Sequence, residues 1–404
     1  MKKHILVVAN HFYPEQFKST EFCLELVSRG YQVSVITQTP NYPLGSFFDG
    51  YSWFKKNKEN YQGISIHRLP VIARGTNKIK LGFNYLSFIF SSFVNSRFTK
   101  NRPDIVITYE TSPVFVGLYG KWLSKRLRIP HIFYCLDLWP DNFIGVTGIE
   151  NKTLINYLQK VTNSIYKHSN KILVSSKAFI EKIRKQDINA DIEYWPQFVE
   201  DSNTNKESSI MLRDGFNITF TGNVGEAQGL DILIETSKKL KAMGQNVFFN
   251  IIGDGSYRKH LEFKVKVEGL DDIILFHGRV ASDEISDILS KSDLALLTFS
   301  TSPIFELTPP AKLQTYMINK MPILGSCSGE PKRLIEEANC GLVSLAGDAD
   351  GLVSNILRFM EMSQEEMEVL AENGYNYAEK NFNKEKLFNR LEEIIEEVSY
   401  ESNR

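Results

Sequence analysis

A lysine that follows two prolines is the strongest chemical signal in this chain. The segment Thr308–Met317 follows a strand-like run, Leu294–Leu297, and continues with apolar residues at helical spacing. Proline suits the first turn of a helix, so we predict that Pro310 starts a helix with Lys312 in its first turn. A cation there opposes the partial positive charge of the helix N-terminus, unless an anion such as phosphate binds in front of it. An exposed lysine on an ordinary helix is the alternative interpretation.

Glycine-bearing and polar turns follow three other strand-like runs of the second half. Ligands of open parallel sheets bind beyond the carboxyl ends of the strands, so these turns are candidates for the same site. They contain Gly222, Asn223, Gly225 and Gln228, then Gly253, Asp254 and Gly255, and finally Arg279 and Val280. Neither GxGxxG nor GxxxxGK[ST] occurs, so the dinucleotide and P-loop fingerprints are missing. Tight structural turns, and for Arg279 a surface ion pair, are the alternatives.

Aromatic and carboxylate residues follow strand-like runs of the first half. The run 5–9 is followed by Asn10–Phe17, and the run 132–136 is followed by Asp137 and Trp139. We predict a second group of site residues here, namely Tyr13, Pro14, Gln16, Asp137, Trp139 and Asp141. A structural carboxylate that caps a loop is the alternative for Asp137.

The elements that must position these residues alternate regularly. Continuously apolar runs of strand length are separated by amphipathic segments of helix length, which is typical of parallel sheets covered on both faces. The alternation pauses at Tyr194–Ser209, which we interpret as a domain linker. The prediction is an α/β protein with two Rossmann-like domains, 1–195 and 196–382, that face a central cleft. A C-terminal helical segment, 383–404, is predicted to pack on the first domain.

Bulk composition excludes several classes of protein. The chain has 404 residues, which suggests two domains, and a formal charge of −1, which gives no argument for nucleic acid. Four separated cysteines without a CxxC pair, and no signal-peptide core, predict a reducing cytoplasmic location. No metal site is predicted, because the histidines lack ligand spacing and Asp348-Ala349-Asp350 is expected to cap a helix. No GxSxG nucleophile elbow occurs.

Six motifs together resemble glycosyltransferase family 4, a family with the two-domain GT-B fold. Within it the chain is similar to bacterial O-antigen and capsule N-acetyl-L-fucosamine transferases. The motifs are Phe12-Tyr13-Pro14-Glu15, Pro40-Asn41-Tyr42-Pro43, Asp137-Leu138-Trp139-Pro140-Asp141, Tyr194-Trp195-Pro196-Gln197, Phe220-Thr221-Gly222-Asn223 and Pro310-Ala311-Lys312.

This resemblance implies a UDP-sugar donor and a polyprenyl-diphosphate-linked sugar acceptor. The C-terminal half would bind the donor through the glycine turns, Arg279-Val280 and Pro310–Leu313. The N-terminal half would bind the acceptor through Tyr13, Pro14, Gln16, Asn41, Tyr42, Trp139 and Asp141. It further implies retention of the anomeric configuration, no cofactor and no essential metal. Lys312 would stabilise the departing diphosphate. Asp137 would orient the acceptor hydroxyl or stabilise positive charge on the sugar ring, and Ala311 and Leu313 would flank Lys312.

Several positions depart from the family pattern. The family's two glutamates eight positions apart would fall at Leu307 and Thr315, so Glu306 is a candidate contact for the donor sugar in a changed register. Asn223 and Gln228 stand where basic residues are common, so more of the anion binding would fall to Lys312 and Arg279. Lys18-Ser19 replace a glycine pair, and Leu136 replaces a frequent histidine.

The aromatic segment Leu81–Phe98, flanked by lysines and arginines, has two interpretations. It is too polar for a comfortable membrane span. It is either a domain helix buried on one face or an interfacial helix on anionic lipid, and both can hold on different faces. Peripheral contact with the inner membrane is therefore a hypothesis.

Two other functions share the predicted architecture. A sugar-nucleotide 2-epimerase would need acid–base groups and no acceptor site. A non-catalytic nucleotide-sugar-binding protein would fit the missing glutamates and basic residues. The aromatic loops of the N-terminal half favour the transferase.

Overall fold

The computed structural model describes residues 2–186, 188–199 and 206–401. The chain divides into two compact units. The N-terminal unit consists of Met1–Trp195 with Phe388–Arg404, and the C-terminal unit of Pro196–Leu387. Each unit is built on its own sheet, so the predicted pair of Rossmann-like α/β domains is confirmed.

The N-terminal unit is an eight-stranded sheet in its described residues, with helices between the strands. The strands are β1 (His4–Ala9), β2 (Gln32–Gln38), β3 (Lys58–Tyr61), β4 (Ile64–Leu69), β5 (Ile105–Glu110), β6 (His131–Cys135), β7 (Lys171–Val174) and β8 (Ile192–Tyr194). The helices are α1 (Lys18–Ser28), α2 (Lys78–Phe98), α3 (Val116–Leu127), α4 (Asp141–Thr147), α5 (Lys152–Tyr166) and α6 (Lys177–Arg184). The order is β3-β4-β2-β1-β5-β6-β7-β8, parallel except for β3 against β4.

The central strands of this sheet are buried on both faces. Every residue of β5, and all but the first of β1, is buried, which explains their continuously apolar sequences. Ala9 pairs with Tyr109, and Glu110 pairs with Cys135. The segments that follow β1, β5 and β6 therefore leave the sheet at one edge, where the predicted acceptor residues begin.

The C-terminal unit contains a fully parallel six-stranded sheet in its described residues. The strands are β9 (Phe216–Thr221), β10 (Val247–Ile252), β11 (Ile274–Gly278), β12 (Leu294–Thr298), β13 (Ile323–Ser326) and β14 (Gly341–Ser344), in the order β11-β10-β9-β12-β13-β14. The helices are α7 (Ile232–Ala242), α8 (Arg258–Val267), α9 (Ile285–Ser290), α10 (Ala311–Ile318), α11 (Gly329–Ala338), α12 (Ala349–Glu361) and α13 (Gln364–Asn381).

The last helix, α14 (Lys384–Glu401), joins the N-terminal unit from Phe388 onward. The ring of Phe388 lies 5.5 Å from that of Phe22 and 5.7 Å from that of Trp195. Arg390 pairs with Glu193 of β8 at 2.7 Å. The predicted return of the C-terminal helix to the first domain is confirmed.

Four strands were not predicted, because they are not continuous apolar runs. In β4, buried residues alternate with exposed or half-buried ones over its first half, and β3 is largely polar. Gln62 and Gly63 join them as a two-residue turn with φ of 47° and 85°, the left-handed pair that such hairpins require. The short strands β8 and β14 lie at sheet edges.

The linker prediction is wrong for the first part of the segment, because its side chains are buried. Trp195 is 1% exposed and Phe198 is 2% exposed. Val199 forms a parallel bridge with Asn383. Most of the polar run of the predicted linker, 200–205, lies outside the described residues.

Candidate functional site

Lys312 is the second residue of α10, and Pro310 occupies the N-cap position. The predicted helix start is therefore confirmed to within one residue. Lys312 Nζ donates a hydrogen bond to Gln228 Oε1 at 2.6 Å and lies 3.7 Å from the ring centroid of Phe220. Burial lowers the pKa of Lys312 to about 7, and no carboxylate in the described ranges offsets that burial. Burying an amine without a counter-charge is unfavourable, and an anionic ligand would supply the missing negative charge.

The two glycine turns of this unit, at Gly222 and at Gly253–Gly255, pack closely against each other. Gly222 and Gly253 have backbone φ angles of 125° and 140°, which residues other than glycine rarely adopt. A Cβ on Gly253 would stand 1.8 Å from the Gly222 carbonyl oxygen, and one on Gly255 would stand 2.3 Å from that of Val224. The Val224 N–H donates to the Asp254 carbonyl at 3.0 Å. Glycine is therefore needed here for backbone-to-backbone packing.

The first turn also lies beside the lysine. Lys312 Nζ is 3.5 Å from where a Cβ on Gly222 would be. Gln228 ends a short 3-10 turn, Glu226–Gln228, whose N-cap is Gly225. The structure thus brings Gly222, Gln228 and Lys312 together at the exits of β9 and β12.

The other predicted donor residues are distributed between surface and core. Exposed or half-exposed positions are occupied by Asn223, Asp254, Arg279, Val280 and Ala311. Leu313, by contrast, is fully buried in the core, so only its backbone is available to a donor. Glu306 is exposed at the end of a 3-10 turn, and its carbonyl oxygen lies 2.3 Å from where a Cβ on Gly329 would be, at the start of α11.

The N-terminal unit has a cavity of about 510 Å³ at the edge where β1, β5 and β6 end. Apolar and aromatic side chains with a few polar groups line it, as is usual for small-molecule sites. Its polar and aromatic lining includes His11, Tyr42, Arg74, Tyr85, Asp137 and Trp139.

Asp137 lines this cavity and also caps a loop. Its Oδ2 accepts a hydrogen bond from the Ser112 N–H at 2.8 Å, and burial raises its pKa. Glu110 lies behind it. Glu110 Oε2 accepts the N–H groups of Leu136 at 3.2 Å and Asp137 at 3.0 Å. Burial, and then the nearby charge of Asp137, raise the pKa of Glu110 well above its usual range, which favours its neutral form beside Asp137.

The predicted acceptor residues divide into two groups. Tyr42, Asp137 and Trp139 line the cavity, and Trp139 Nε1 donates to Ser112 Oγ at 3.0 Å. The others lie outside its lining. Tyr13 stacks on Tyr61 with ring centroids 3.8 Å apart. Asn41 is fully buried, and its side chain donates to a carbonyl of its own loop. Asp141 pairs with Lys182. Pro14 is half-buried and Gln16 is exposed.

Sequence reasoning missed several polar or aromatic residues of this region. His11 and Phe17 lie in the strand exit Asn10–Phe17, so their position was a usable signal. Glu110 ends an apolar strand, which is an unusual place for a carboxylate. Arg74 and Tyr85 reach the cavity from the loop before α2 and from α2 itself, and no local pattern predicts that.

Helix α2 carries its apolar residues on the outside. Small polar and amide residues, Asn84, Ser92 and Ser96, are buried together with Phe88. An exposed stripe at helical spacing consists of Ile79, Phe83, Leu86, Phe90, Phe93, Val94 and Phe98. One face of the helix packs on the domain, as the first interpretation predicts. The other face is apolar and exposed, and the interfacial interpretation stays a prediction. No helix in the described ranges is long and apolar enough to cross a membrane.

Asp348 is a helix N-cap, as predicted, because its side chain accepts the Gly351 N–H at 2.8 Å. No cluster of three or more potential metal ligands occurs within residues 2–186, 188–199 and 206–401. All four cysteines are free and buried.

Two family models match consecutive parts of the chain. Residues 19–203 match Glycosyltransferase Family 4, and residues 201–377 match Glycosyl transferases group 1. Both matched models describe glycosyltransferases, and together they run from residue 19 to residue 377.

Named glycosyltransferases are similar to this chain at low identity. The amylovoran biosynthesis glycosyltransferase AmsK of Erwinia amylovora is 26% identical over 196 residues, which are 47% of this chain and 48% of that protein. The chain spans less than half the length of the first curated relatives it matches, 42 to 48%.

Solved structures show the fold over nearly the whole chain. Sucrose-phosphate synthase from Thermosynechococcus elongatus superposes with a TM-score of 0.74 at 13% identity, covering 98% of this chain and 99% of that one. Anabaena Alr3699/HepE in complex with UDP gives 0.71 at 15% identity, with 98% and 100% covered. The glycosyltransferase WaaG, involved in lipopolysaccharide biosynthesis, gives 0.63 at 14% identity, with 93% and 95% covered. The fold is GT-B.

Proposed function

We propose that this chain is a glycosyltransferase that moves a sugar from a UDP-sugar to a lipid-linked sugar acceptor in surface-polysaccharide biosynthesis. In this proposal the C-terminal unit binds the donor and the N-terminal unit binds the acceptor. The donor sugar we propose is an N-acetylated 6-deoxyhexose such as N-acetyl-L-fucosamine, transferred with retention and without an essential metal. The motif resemblance supports these finer points, and the matched glycosyltransferase domains support the reaction class.

The observation that carries the proposal is the environment of Lys312. Its amine is desolvated against Phe220, and its hydrogen-bond partner among the described residues, Gln228 Oε1, is neutral. A diphosphate beside this amine would supply the counter-charge, and the amine would in turn stabilise the charge that develops as the sugar–phosphate bond breaks. A neighbour of similar fold is described in complex with UDP, which supports a uridine nucleotide.

A panel of nucleotide sugars tests the proposal directly. UDP-sugars should raise the thermal unfolding temperature and GDP-sugars should not, because a ligand that binds only the native state stabilises it. Transfer to a polyprenyl-diphosphate-linked sugar should follow with one of the stabilising donors. Stabilisation by GDP-sugars alone, or epimerisation of the donor without any acceptor, would contradict it.

Binding of the UDP-sugar is expected to take up a proton near neutral pH. The pKa of Lys312 is lowered to about 7 in the free protein, so the amine is largely neutral at pH 8. A diphosphate favours the charged amine, so uptake should rise from about half a proton at pH 7 to nearly one at pH 8. Affinity should consequently fall as pH rises above 7. Calorimetric titrations in buffers of different ionisation enthalpy measure this uptake.

The control is Lys312→Arg, whose guanidinium stays charged throughout this range. That variant should bind with little proton uptake. A UDP-sugar is used because the terminal phosphate of UDP itself titrates near pH 6. Equal uptake by the variant and the wild type would assign the proton to another group.

The exposed stripe of α2 supports the proposed lipid-linked acceptor and peripheral membrane contact. Lys80 and Arg97 lie near the two ends of this helix, and Lys100 and Arg102 follow it, which suits an interface with anionic headgroups. A second, largely apolar cavity of about 1030 Å³ lies between α2 and strands β2 and β4, lined in part by Ile36, Ile66, Leu69, Phe90, Val94 and Phe98.

Replacing Phe83 and Phe90 together by serine is expected to weaken sedimentation with anionic vesicles by about thirtyfold. This follows from losing roughly 1 kcal/mol of apolar burial for each ring that leaves the interface. Phe263→Ser is the matched control, because Phe263 lies on α8 and is 67% exposed, compared with 69% for Phe90. Failure of the wild-type chain to bind such vesicles at low salt would contradict the proposed membrane contact.

A further inference from the structure

A half-buried arginine, Arg74, lines the cavity of the N-terminal unit. Its guanidinium carbon lies 5.0 Å from the centroid of the Tyr42 ring, which lines the same cavity. Asp137 is the carboxylate of this lining, and no ion pair joins Arg74 to it or to another carboxylate in the part of the chain that the structure describes. A guanidinium stays charged at physiological pH, and its flat fork of N–H groups fits phosphate oxygens. The cavity therefore presents a cation to an anionic ligand.

The backbone that carries this arginine is fixed by the loop that follows β2. The Arg74 N–H donates to Asn41 Oδ1 at 3.2 Å, and the Gly75 N–H donates to the Gly45 carbonyl at 2.7 Å. Asn41 Nδ2 donates in turn to the Thr39 carbonyl at 2.7 Å. A cation on a preorganised backbone loses less conformational freedom when a ligand binds. Asn41, which lies outside the cavity lining, is therefore a positioning residue for Arg74.

The exposed apolar surface of α2 begins two residues before this cation. Ile72 is 42% exposed, its N–H donates to Ser87 Oγ at 2.9 Å, and its carbonyl accepts from Asn84 Nδ2 at 2.7 Å. On the same helix Tyr85 lines the cavity, whereas its neighbour Leu86 is 62% exposed. One short segment and one helix thus join a cation in the cavity to an apolar surface outside it.

We propose that Arg74 binds the diphosphate of a lipid-linked acceptor whose hydrocarbon chain leaves the cavity along the exposed stripe of α2; this rests on the proposed function. The guanidinium donates to the phosphate oxygens, and the sugar occupies the part of the cavity that Trp139 and Asp137 line. An acidic sugar without a lipid would use the cation through its carboxylate, but not the apolar surface. The adjacency of cation and apolar surface favours a diphosphate that is attached to a hydrocarbon chain.

The test compares two acceptors with the same sugar, one a prenyl diphosphate and the other a simple alkyl glycoside. Arg74→Ala should raise KM for the prenyl-diphosphate acceptor by about 10–100-fold, the usual loss of a charge-assisted contact. KM for the alkyl glycoside, and kcat with either acceptor, should change little. Arg74→Lys should restore part of the loss, because lysine keeps the charge without the fork. Arg184→Ala is the control, because Arg184 is an exposed residue of α6 outside the cavity lining.

Binding of the diphosphate can also be measured without turnover. Geranyl diphosphate, a short prenyl diphosphate, should raise the thermal unfolding temperature of Lys312→Ala, in which the donor-site amine is absent. The double variant that combines Lys312→Ala with Arg74→Ala should lose this stabilisation. Geraniol, which lacks the diphosphate, should stabilise neither variant.

The outcomes separate this proposal from the transferase assignment. Equal increases of KM for the two acceptors would assign Arg74 to a group of the sugar and overturn its role toward the diphosphate. An unchanged KM for the prenyl-diphosphate acceptor would overturn that role as well. If Arg74→Ala unfolds at a lower temperature, Arg74→Gln, which is neutral and closer in size, takes its place. No transfer by the wild-type chain to either acceptor would overturn the transferase assignment, and geranyl diphosphate binding would still decide the role of Arg74.

Discussion

Lys312→Ala is expected to lower turnover by about 10²–10³-fold, which is the usual loss when one preorganised group that stabilises transition-state charge is removed. The effect should be large because the Lys312 amine lies beside Gly222 of the first glycine turn and has a neutral partner, Gln228 Oε1. Arg279, the other predicted cation, is exposed after β11. Steady-state kinetics with a UDP-sugar and acceptor measure the change, and most of it should appear in kcat.

The matched control is Lys320→Ala. Lys320 follows the same helix, is about half exposed and pairs with Glu372 at 2.7 Å, so its loss should leave turnover within about twofold. Turnover close to wild type in Lys312→Ala would defeat the assignment of Lys312 to the leaving group.

Gly253→Ala is expected to destabilise the C-terminal unit by roughly 3 kcal/mol or more and to abolish the stabilising effect of UDP-sugars. The added methyl would stand 1.8 Å from the Gly222 carbonyl oxygen, so the backbone of one of the two glycine turns must move. That movement displaces the turn that lies beside Lys312. Thermal unfolding with and without the UDP-sugar measures both effects.

Gly269→Ala separates steric conflict from backbone strain. Gly269 also has a left-handed φ of 63°, but a Cβ there meets nothing within 4 Å. It should therefore cost only the left-handed strain, about 1–2 kcal/mol, with donor stabilisation retained. Equal behaviour of the two variants would show that the contact between the turns is unimportant.

Hydrophobic patterning predicted the fold well, because buried parallel strands appear in the sequence as continuous apolar runs. Predicted runs such as 105–109 and 294–297 correspond to β5 and β12. The hairpin β3–β4 was not predicted, because its strands are polar or alternate between buried and exposed residues. Its pairing is set by the turn at Gln62 and Gly63. Trp195 was misread as linker because its burial depends on rings remote in sequence, Phe22 and Phe388.

The candidate sites were predictable only where a local signal coincided with a strand exit. Lys312, Gly222 and Asp137 satisfy both conditions. Tyr13 and Asn41 also follow strands, yet one stacks on Tyr61 and the other is buried in its loop. Arg74 and Tyr85 lie in the cavity because of how α2 packs, which a motif does not encode.

The return of α14 to the N-terminal unit has a consequence for the order of folding during synthesis. Domains generally fold as units while the chain emerges from the ribosome. The C-terminal unit is one continuous stretch, Pro196–Leu387, and is complete before the part of α14 that begins at Phe388 has emerged. The N-terminal unit still lacks Phe388, Leu391 and Ile395, whose side chains are fully buried in the finished protein. The unit that is translated first is therefore the one that closes its core last, and until then Phe22 and Trp195 lack part of their covering.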